Sequence, residues 1–161
     1  MTGMVQAGHL EIEETMQARE TMDPELLNSA MIAPCGMNCG LCIGYQRTRN
    51  RCLGCHGDDV NEPKHCVVCR IKHCAETESE VREQRFCFQC ARFPCARLRQ
   101  MDKRYRTKYG VSMTENQKCI QELGLDEFVM REKDRWKCPQ CGGVICVHRK
   151  DCISCGHARN S

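Results

Sequence analysis

The sequence predicts a small metal-stapled α+β fold made of an irregular cysteine-knuckle domain, a helical linker and a C-terminal zinc ribbon. Seventeen of the 161 residues are cysteine, and most fall in six short pairs: Cys39 and Cys42, Cys52 and Cys55, Cys66 and Cys69, Cys87 and Cys90, Cys138 and Cys141, Cys152 and Cys155. A Cys-x-x-Cys turn aims two thiolates at one point, and two such turns close a tetrahedral metal site. Leu, Ile, Val and Phe together number 28, about 17% of the chain and below the roughly 20% expected of a self-sufficient core. Bound metal therefore has to supply folding energy, and a structural zinc contributes about 10–16 kcal/mol of apparent binding free energy.

So many cysteines would suit a disulfide scaffold in a secreted chain, but the N-terminus points elsewhere. Residues 1–14 have neither a basic start nor an apolar run, and no later stretch reaches the length of a membrane span. The expectation is a cytoplasmic protein with reduced thiols and no membrane partner, and the odd cysteine count fits that compartment better than a disulfide framework. The formal charge of +3 counts each thiol as neutral. Each Zn²⁺ held by four thiolates carries about −2, so net charge gives no ground for a general nucleic-acid role.

Residues 1–32 form an acidic extension, with Glu11, Glu13, Glu14, Glu20, Asp23 and Glu25 against Arg19. Asp23 as N-cap and Pro24 at the first helical position predict a short helix with Leu26, Leu27, Ala30 and Met31 on one face, ending before Pro34. Residues 33–96 are the cysteine-rich metal-binding module, too poor in apolar periodicity for long regular elements. One helix is expected inside it, from about Ala75 to Arg85, where Glu76, Glu78, Glu80 and Glu83 favour the early turns.

Residues 97–135 read as a helical linker. Leu98, Met101 and Tyr105 recur at helical spacing, flanked by Arg97, Arg99, Lys103, Arg104, Arg106 and Lys108, and Gly110 stops that helix. Ser112 and Glu115 predict a capping box for the next, with Ile120 and Leu123 inward and Gly124 as terminator. A third carries Leu125, Phe128 and Val129 on one face. Residues 136–161 are the expected zinc ribbon: knuckles Cys138/Cys141 and Cys152/Cys155, each followed by a glycine that permits a left-handed backbone, around β-prone Val144, Ile145 and Val147. All four ligands lie within this stretch, so it is expected to fold about its own ion.

The candidate metal ligands are Cys35, Cys39, Cys42, Cys52, Cys55, Cys66, Cys69, Cys74, Cys87, Cys90 and Cys95 in the N-terminal module, and Cys138, Cys141, Cys152 and Cys155 in the ribbon. The eleven upstream thiols fill two four-ligand sites with residues over, or three sites if one of His56, His65 and His73 joins; spacing alone does not pair them. Cys146 and His148, inside the ribbon loop, read as packed or exposed side chains, and Cys119 as a small buried hydrophobe. The Cys35-x3-Cys39-x2-Cys42 spacing matches that of radical S-adenosylmethionine enzymes, but so short and apolar-poor a chain has no room for their barrel. A 4Fe-4S cluster without that chemistry stays open, because four thiolates serve either metal.

The runs Ala33-Pro-Cys35-Gly-Met-Asn-Cys39-Gly-Leu-Cys42, Cys52-Leu-Gly-Cys55, Cys69-Arg-Ile-Lys-His-Cys74-Ala and Phe86-Cys87-Phe-Gln-Cys90-Ala-Arg-Phe-Pro-Cys95 together resemble the cysteine-rich bacterial and archaeal family called domain of unknown function 3795, over about residues 33–98. The stretch from Lys103 through Tyr109-Gly and on past Trp136 resembles longer members that append a helical linker and zinc ribbon. The resemblance implies metal binding, presumed to be zinc, and no established activity; Cys66 stands outside the family pattern.

These readings converge on a multi-site metal-binding protein holding two or more zinc ions, non-enzymatic, whose rigid surface serves a protein partner. Nucleic-acid contact through residues 97–108 is a competing use of the basic helix, against a solvated helix packed through its apolar stripe. The rival of another class is an iron–sulfur redox or electron-transfer protein with a structural zinc ribbon. No Ser/His/Asp set, paired acids or phosphate loop supports an enzyme; a metal-dependent one would need a site with three protein ligands and one open position, which the leftover histidines do not exclude.

Overall fold

The computed structural model describes residues 22–58, 60–75 and 85–159. Among them the chain is small and mostly helical, and no helix is long and apolar enough to cross a membrane. The helix expected around residues 75–85 and the first part of the acidic extension lie outside the described residues.

The single helix expected after Asp23 is instead two 3-10 turns, Pro24–Leu26 and Ser29–Met31. Asp23 Oδ1 accepts the Glu25 N–H at 2.9 Å, and Asn28 Oδ1 then accepts the Ala30 N–H at 3.0 Å. This second side-chain cap competes with helix continuation and restarts the chain. Leu27, between the turns, is fully buried, whereas Leu26 is 41% exposed, so the expected common face is lost.

A 3-10 turn at Cys39–Leu41 follows, capped by buried Asn38, and leads into the short helix α1, Ile43–Gln46. A second short helix, α2, Lys64–Val67, starts after Pro63. The linker helices form as their caps and stripes predict: α3, Ala96–Tyr109; α4, Met113–Leu123; and α5, Leu125–Arg135. Gly110 at φ +67° ends α3 in the left-handed conformation. Ser112 caps α4 by accepting the Glu115 N–H at 3.1 Å. The Glu115 carboxylate turns to Arg106 at 3.2 Å, so the expected box is one-sided. Leu98 and Ile120 are buried, but Leu123 is 42% exposed, contrary to its inward assignment.

The main core joins distant stretches: Leu27, Leu41, Leu98, Met113, Trp136, Val144 and Val147 pack together with several cysteines. A satellite cluster of Ile32, Phe86, Ile120, Phe128 and Val129 seats α4 and α5 on the N-terminal module. Gln117, fully buried, crosses between them: its amide donates to Pro34 O and its carbonyl accepts the Phe88 N–H.

The β half of the expected α+β class is limited, among the described residues, to isolated antiparallel bridges, Ile32 with Asn38, Lys137 with Val144, and Asp151 with Ala158. Val144, Ile145 and Val147 are buried as their composition suggests. Their N–H groups go to Met22 O, Trp136 O and Leu41 O, three different segments, so no partner strand zips along them.

Candidate metal centres

The two C-terminal knuckles repeat one geometry. Gly142 N–H donates to Cys138 O and Gly156 N–H to Cys152 O, both at 2.9 Å, with the glycines at φ +75° and +74°. A Cβ there would be strained, which accounts for glycine after each second cysteine. The result brings the sulfurs of Cys138 and Cys155 to 3.6 Å and those of Cys141 and Cys152 to 3.7 Å, with all four within 4.8 Å of one another. Four thiolates at about 2.3 Å from one tetrahedral ion stand about 3.8 Å apart, so this cluster fits a single metal ion. Burial acts to raise the Cys138 thiol, but the N–H groups of Cys141 and Gln140 and the neighbouring thiols outweigh it and bring it down to about 7. Burial and the competing thiols push Cys141 up to about 12, against the Gly143 N–H. The four sulfurs thus share protons that an ion would displace.

The upstream thiols are arranged differently. A cavity of about 720 Å³ opens among the knuckles, α1, α2 and α3, and Cys35, Cys39, Cys42, Cys55, Cys66 and Cys69 line it. Among the described residues, only the C-terminal cluster brings three or more possible ligand atoms within 4.8 Å of one another.

Buried together, the upstream thiols raise one another. A hydrogen bond with Cys39, then burial, then the charges of Glu62 and Cys69 raise the Cys55 thiol, and burial with Cys55, Cys87 and Cys69 raises Cys35. Burial pushes Cys87 up to about 12, reinforced by Cys95, Cys74, Cys90 and Cys69. Burial pushes Cys66 up to about 12, reinforced by Cys55, Cys42, Glu62 and Cys52. Burial also raises Cys42, with Cys146 and Cys52 adding to it against N–H groups of Gly44 and Tyr45.

Backbone amides are already aimed at several of these sulfurs. Gly44 N–H donates to Cys42 Sγ, Gly54 N–H to Cys52 Sγ and Arg92 N–H to Cys90 Sγ, each at 3.4 Å. Such donors stabilise thiolates, and a cation is what relieves crowded, buried thiolates of their repulsion. Gly54, at φ +87°, presses against Cys39: a Cβ there would sit 3.2 Å from Cys39 Cβ, so glycine lets two knuckles approach. Cys42 ends the Cys35-x3-Cys39-x2-Cys42 run. It adopts an extended conformation after the Cys39–Leu41 turn, and its sulfur takes the Gly44 amide beside Cys52.

The cavity wall opposite in charge comes from Arg47, Lys72, Arg104 and Lys108, and among the described residues no carboxylate lines it. The helix α3 packs through Leu98, Met101 and Tyr105, as its apolar stripe predicts, and Met101, Arg104, Tyr105 and Lys108 also line the cavity. Tyr105 and His148 escaped notice as a pair. His148 Nδ1 accepts the Ile43 N–H at 3.3 Å, so its proton sits on Nε2, 3.2 Å from the Tyr105 hydroxyl. Burial lowers the His148 pKa, keeping the ring neutral. Only His65 of the three reserve histidines lines the cavity, while His56 Nε2 meets Ile32 O and His73 Nε2 meets Val67 O. Cys146 is fully buried, and Cys119 packs on the satellite cluster as a small hydrophobe.

Residues 31–100 match the model of a family described as "Protein of unknown function (DUF3795)". No curated protein and no solved structure matches the chain. The matched span contains all eleven upstream candidate cysteines and ends inside α3, before the C-terminal cluster. Residues 31–100 are thus similar to the DUF3795 family, over less than half of the chain.

Proposed function

We propose a multi-site metalloprotein with two kinds of centre: one structural zinc held by Cys138, Cys141, Cys152 and Cys155 in a zinc ribbon, and a 4Fe-4S cluster held by Cys35, Cys39, Cys55 and Cys69 in the cavity. The contrast in sulfur spacing carries this reading. Thiolates around one ion stand within about 3.8 Å of each other, whereas four that each bind a different iron of a cubane stand further apart. Only the C-terminal cluster has the tight spacing among the described residues. A cavity that Arg47, Arg104 and Lys108 line, with no carboxylate among the described lining residues, also suits a cluster that is anionic with its thiolates. Such a cluster supplies single-electron transfer; the protein's part is to hold it, with Arg104, Lys108 and the Tyr105 hydroxyl on the cavity side.

The compartment in this reading is the cytoplasm, supported by seventeen thiols of which none pairs in a disulfide. The partner is a protein, for which Leu53 (49% exposed), Val68 (72%) and Val60 (81%) offer apolar side chains on the module's outer surface. Nucleic-acid contact through α3 has less support. Arg104 and Lys108 turn to the cavity, Arg106 pairs with Asp102 and Glu115, and Arg99 bonds Pro94 O.

Anaerobic purification followed by elemental and acid-labile sulfide analysis tests the reading. The expected product is brown, with four irons and four sulfides per chain besides zinc. A colourless protein with zinc alone overturns the cluster and returns the module to an all-zinc adaptor.

A further inference from the structure

The rim of the cavity is built differently from its floor. Cys35 and Cys39 on the lining are buried, whereas Arg104 and Lys108 are exposed, so the thiols lie deep and the α3 cations stand where the cavity meets solvent. The enclosed space is about 720 Å³, within the roughly 300–1,000 Å³ of small-molecule pockets and far above the roughly 30 Å³ that one water occupies.

A hydroxyl on this wall has its proton unspent. Ile43 N–H donates to His148 Nδ1, His148 Nε2–H donates to the Tyr105 oxygen at 3.2 Å, and the Tyr105 proton is left for another acceptor. Among the described residues none takes it. Tyr109 packs edge-on against both rings, 4.8 Å from His148 and 5.2 Å from Tyr105 between centroids, which holds the phenol in place. The Arg104 guanidinium carbon lies 5.6 Å from the centre of the Tyr105 ring, and Lys108 follows Arg104 by one helical turn, where like charges repel. Neither cation forms an ion pair among the described residues, unlike Arg106 between them, whose partners are Asp102 and Glu115. Three donors, two of them charged, therefore gather on a wall without a described carboxylate.

We propose that Tyr105, Arg104 and Lys108 form an oxyanion subsite, at which a small molecule docks a carboxylate or phosphate group with its remainder reaching into the cavity toward the thiols. Donors that lack an acceptor recognise an anion, and hydrogen bonds to a charged group are the stronger kind. Tyr109 and His148, which line the same cavity, give the adjoining wall ring surfaces suited to a planar ligand body. The subsite uses no candidate metal ligand, so it goes beyond the metal reading and stands whichever metal the thiols hold.

The test is calorimetric titration of the full-length, metal-loaded protein with phenyl phosphate and with benzoate, and with benzyl alcohol as the neutral control. One anion per chain is expected to bind, more weakly as salt rises, and benzyl alcohol is not. Tyr105→Phe, which keeps the ring and removes only the hydroxyl, and Arg104→Gln are each expected to weaken binding about tenfold or more. Arg97→Gln, on the same helix but off the cavity, is expected to leave it unchanged. The tighter anion tells a phosphate ester from a carboxylate. Failure of both anions to bind overturns the subsite, as does a Tyr105→Phe variant that binds like wild type, an Arg97→Gln variant that weakens as much as Arg104→Gln, or benzyl alcohol that binds as well as the anions. Metal, iron and sulfide are counted on the same samples. The variants are expected to keep the wild-type content, and one that loses metal together with binding overturns the subsite; a wild-type protein without iron that still binds the anion overturns the cluster alone.

Discussion

The backbone N–H of Val147 donates to the carbonyl of Leu41 across 2.8 Å, stitching the middle of the C-terminal unit to the turn that presents Cys39 and Cys42. Val144 reaches Met22 O in the same way, and Arg159 bonds both Val147 O and Tyr109 O. The four C-terminal sulfurs are local in sequence, but the packing beneath them is not.

A peptide spanning residues 135–161 is therefore expected to bind one cobalt or zinc ion tetrahedrally, yet more weakly than the same site in the whole chain. Val144 and Val147, fully or almost fully buried in the intact protein, lose their partners in the peptide. Each such side chain forfeits about 1.5–3 kcal/mol of burial. Cobalt titration of peptide and full-length protein side by side measures the difference. Equal affinities would show that the shared core adds nothing. Cys138→Ser should abolish tetrahedral binding in both.

Removing all metal is expected to abolish cooperative melting. About 10–16 kcal/mol of apparent binding free energy per structural zinc exceeds the entire 5–15 kcal/mol stability of an ordinary domain. Circular dichroism before and after verified chelation checks this. An apo protein that still melts in one sharp transition would refute it.

Gln117→Ala should cost about 2–4 kcal/mol, because it strands two buried backbone groups, the Pro34 carbonyl and the Phe88 amide. Gly36→Ala should act on the same junction. Gly36 has φ +87°, and an added Cβ would meet Gln117 Nε2 at 2.9 Å and Met113 O at 3.2 Å. Strain and steric overlap together should cost about 1–3 kcal/mol. Denaturant midpoints on metal-loaded protein give both values.

Glu132 provides a pH test. It is 3% exposed, and burial pushes its carboxyl up to about 6 from 4.5, against Arg135 and against the Trp136 and Asn38 N–H groups. The Trp136 Nε1 and Asn38 Nδ2 groups lean toward it without completing hydrogen bonds. A raised folded pKa means that the folded state holds the proton more firmly. The contribution is fully present below about pH 4.5 and is lost as pH rises through about 6. Glu132→Gln, which stays neutral, should stabilise the protein at pH 8, with the gain shrinking toward pH 5. A gain that is constant from pH 5 to 8 would place its origin elsewhere.

Much was legible from residue order because the relevant forces act over a few residues. The Cys138 and Cys152 knuckles, the Gly110 stop, the Ser112 cap and the stripe Phe128/Val129 all follow from local turn chemistry and helical period. The resemblance over residues 33–98 likewise matches the family span 31–100. Even locally, Asn28 could not be weighed correctly. Whether its side chain caps a new turn or yields to a longer helix depends on where Leu27 is buried.

The sequence by itself determined which residues offer thiols and where its long helices lie, since ligand chemistry, caps and periodicity are written in short-range order. Only the tertiary structure decided which six of the eleven upstream thiols line one cavity, that the Cys42 sulfur lies near Cys52, and that α3 helps line that cavity. Those outcomes depend on which distant segments share one desolvated space, and spacing along the chain carries no information about that. The same reason turned the β-prone run Val144–Val147 into a buried connector: each of its amides found a carbonyl from a different segment before a neighbouring strand could supply one.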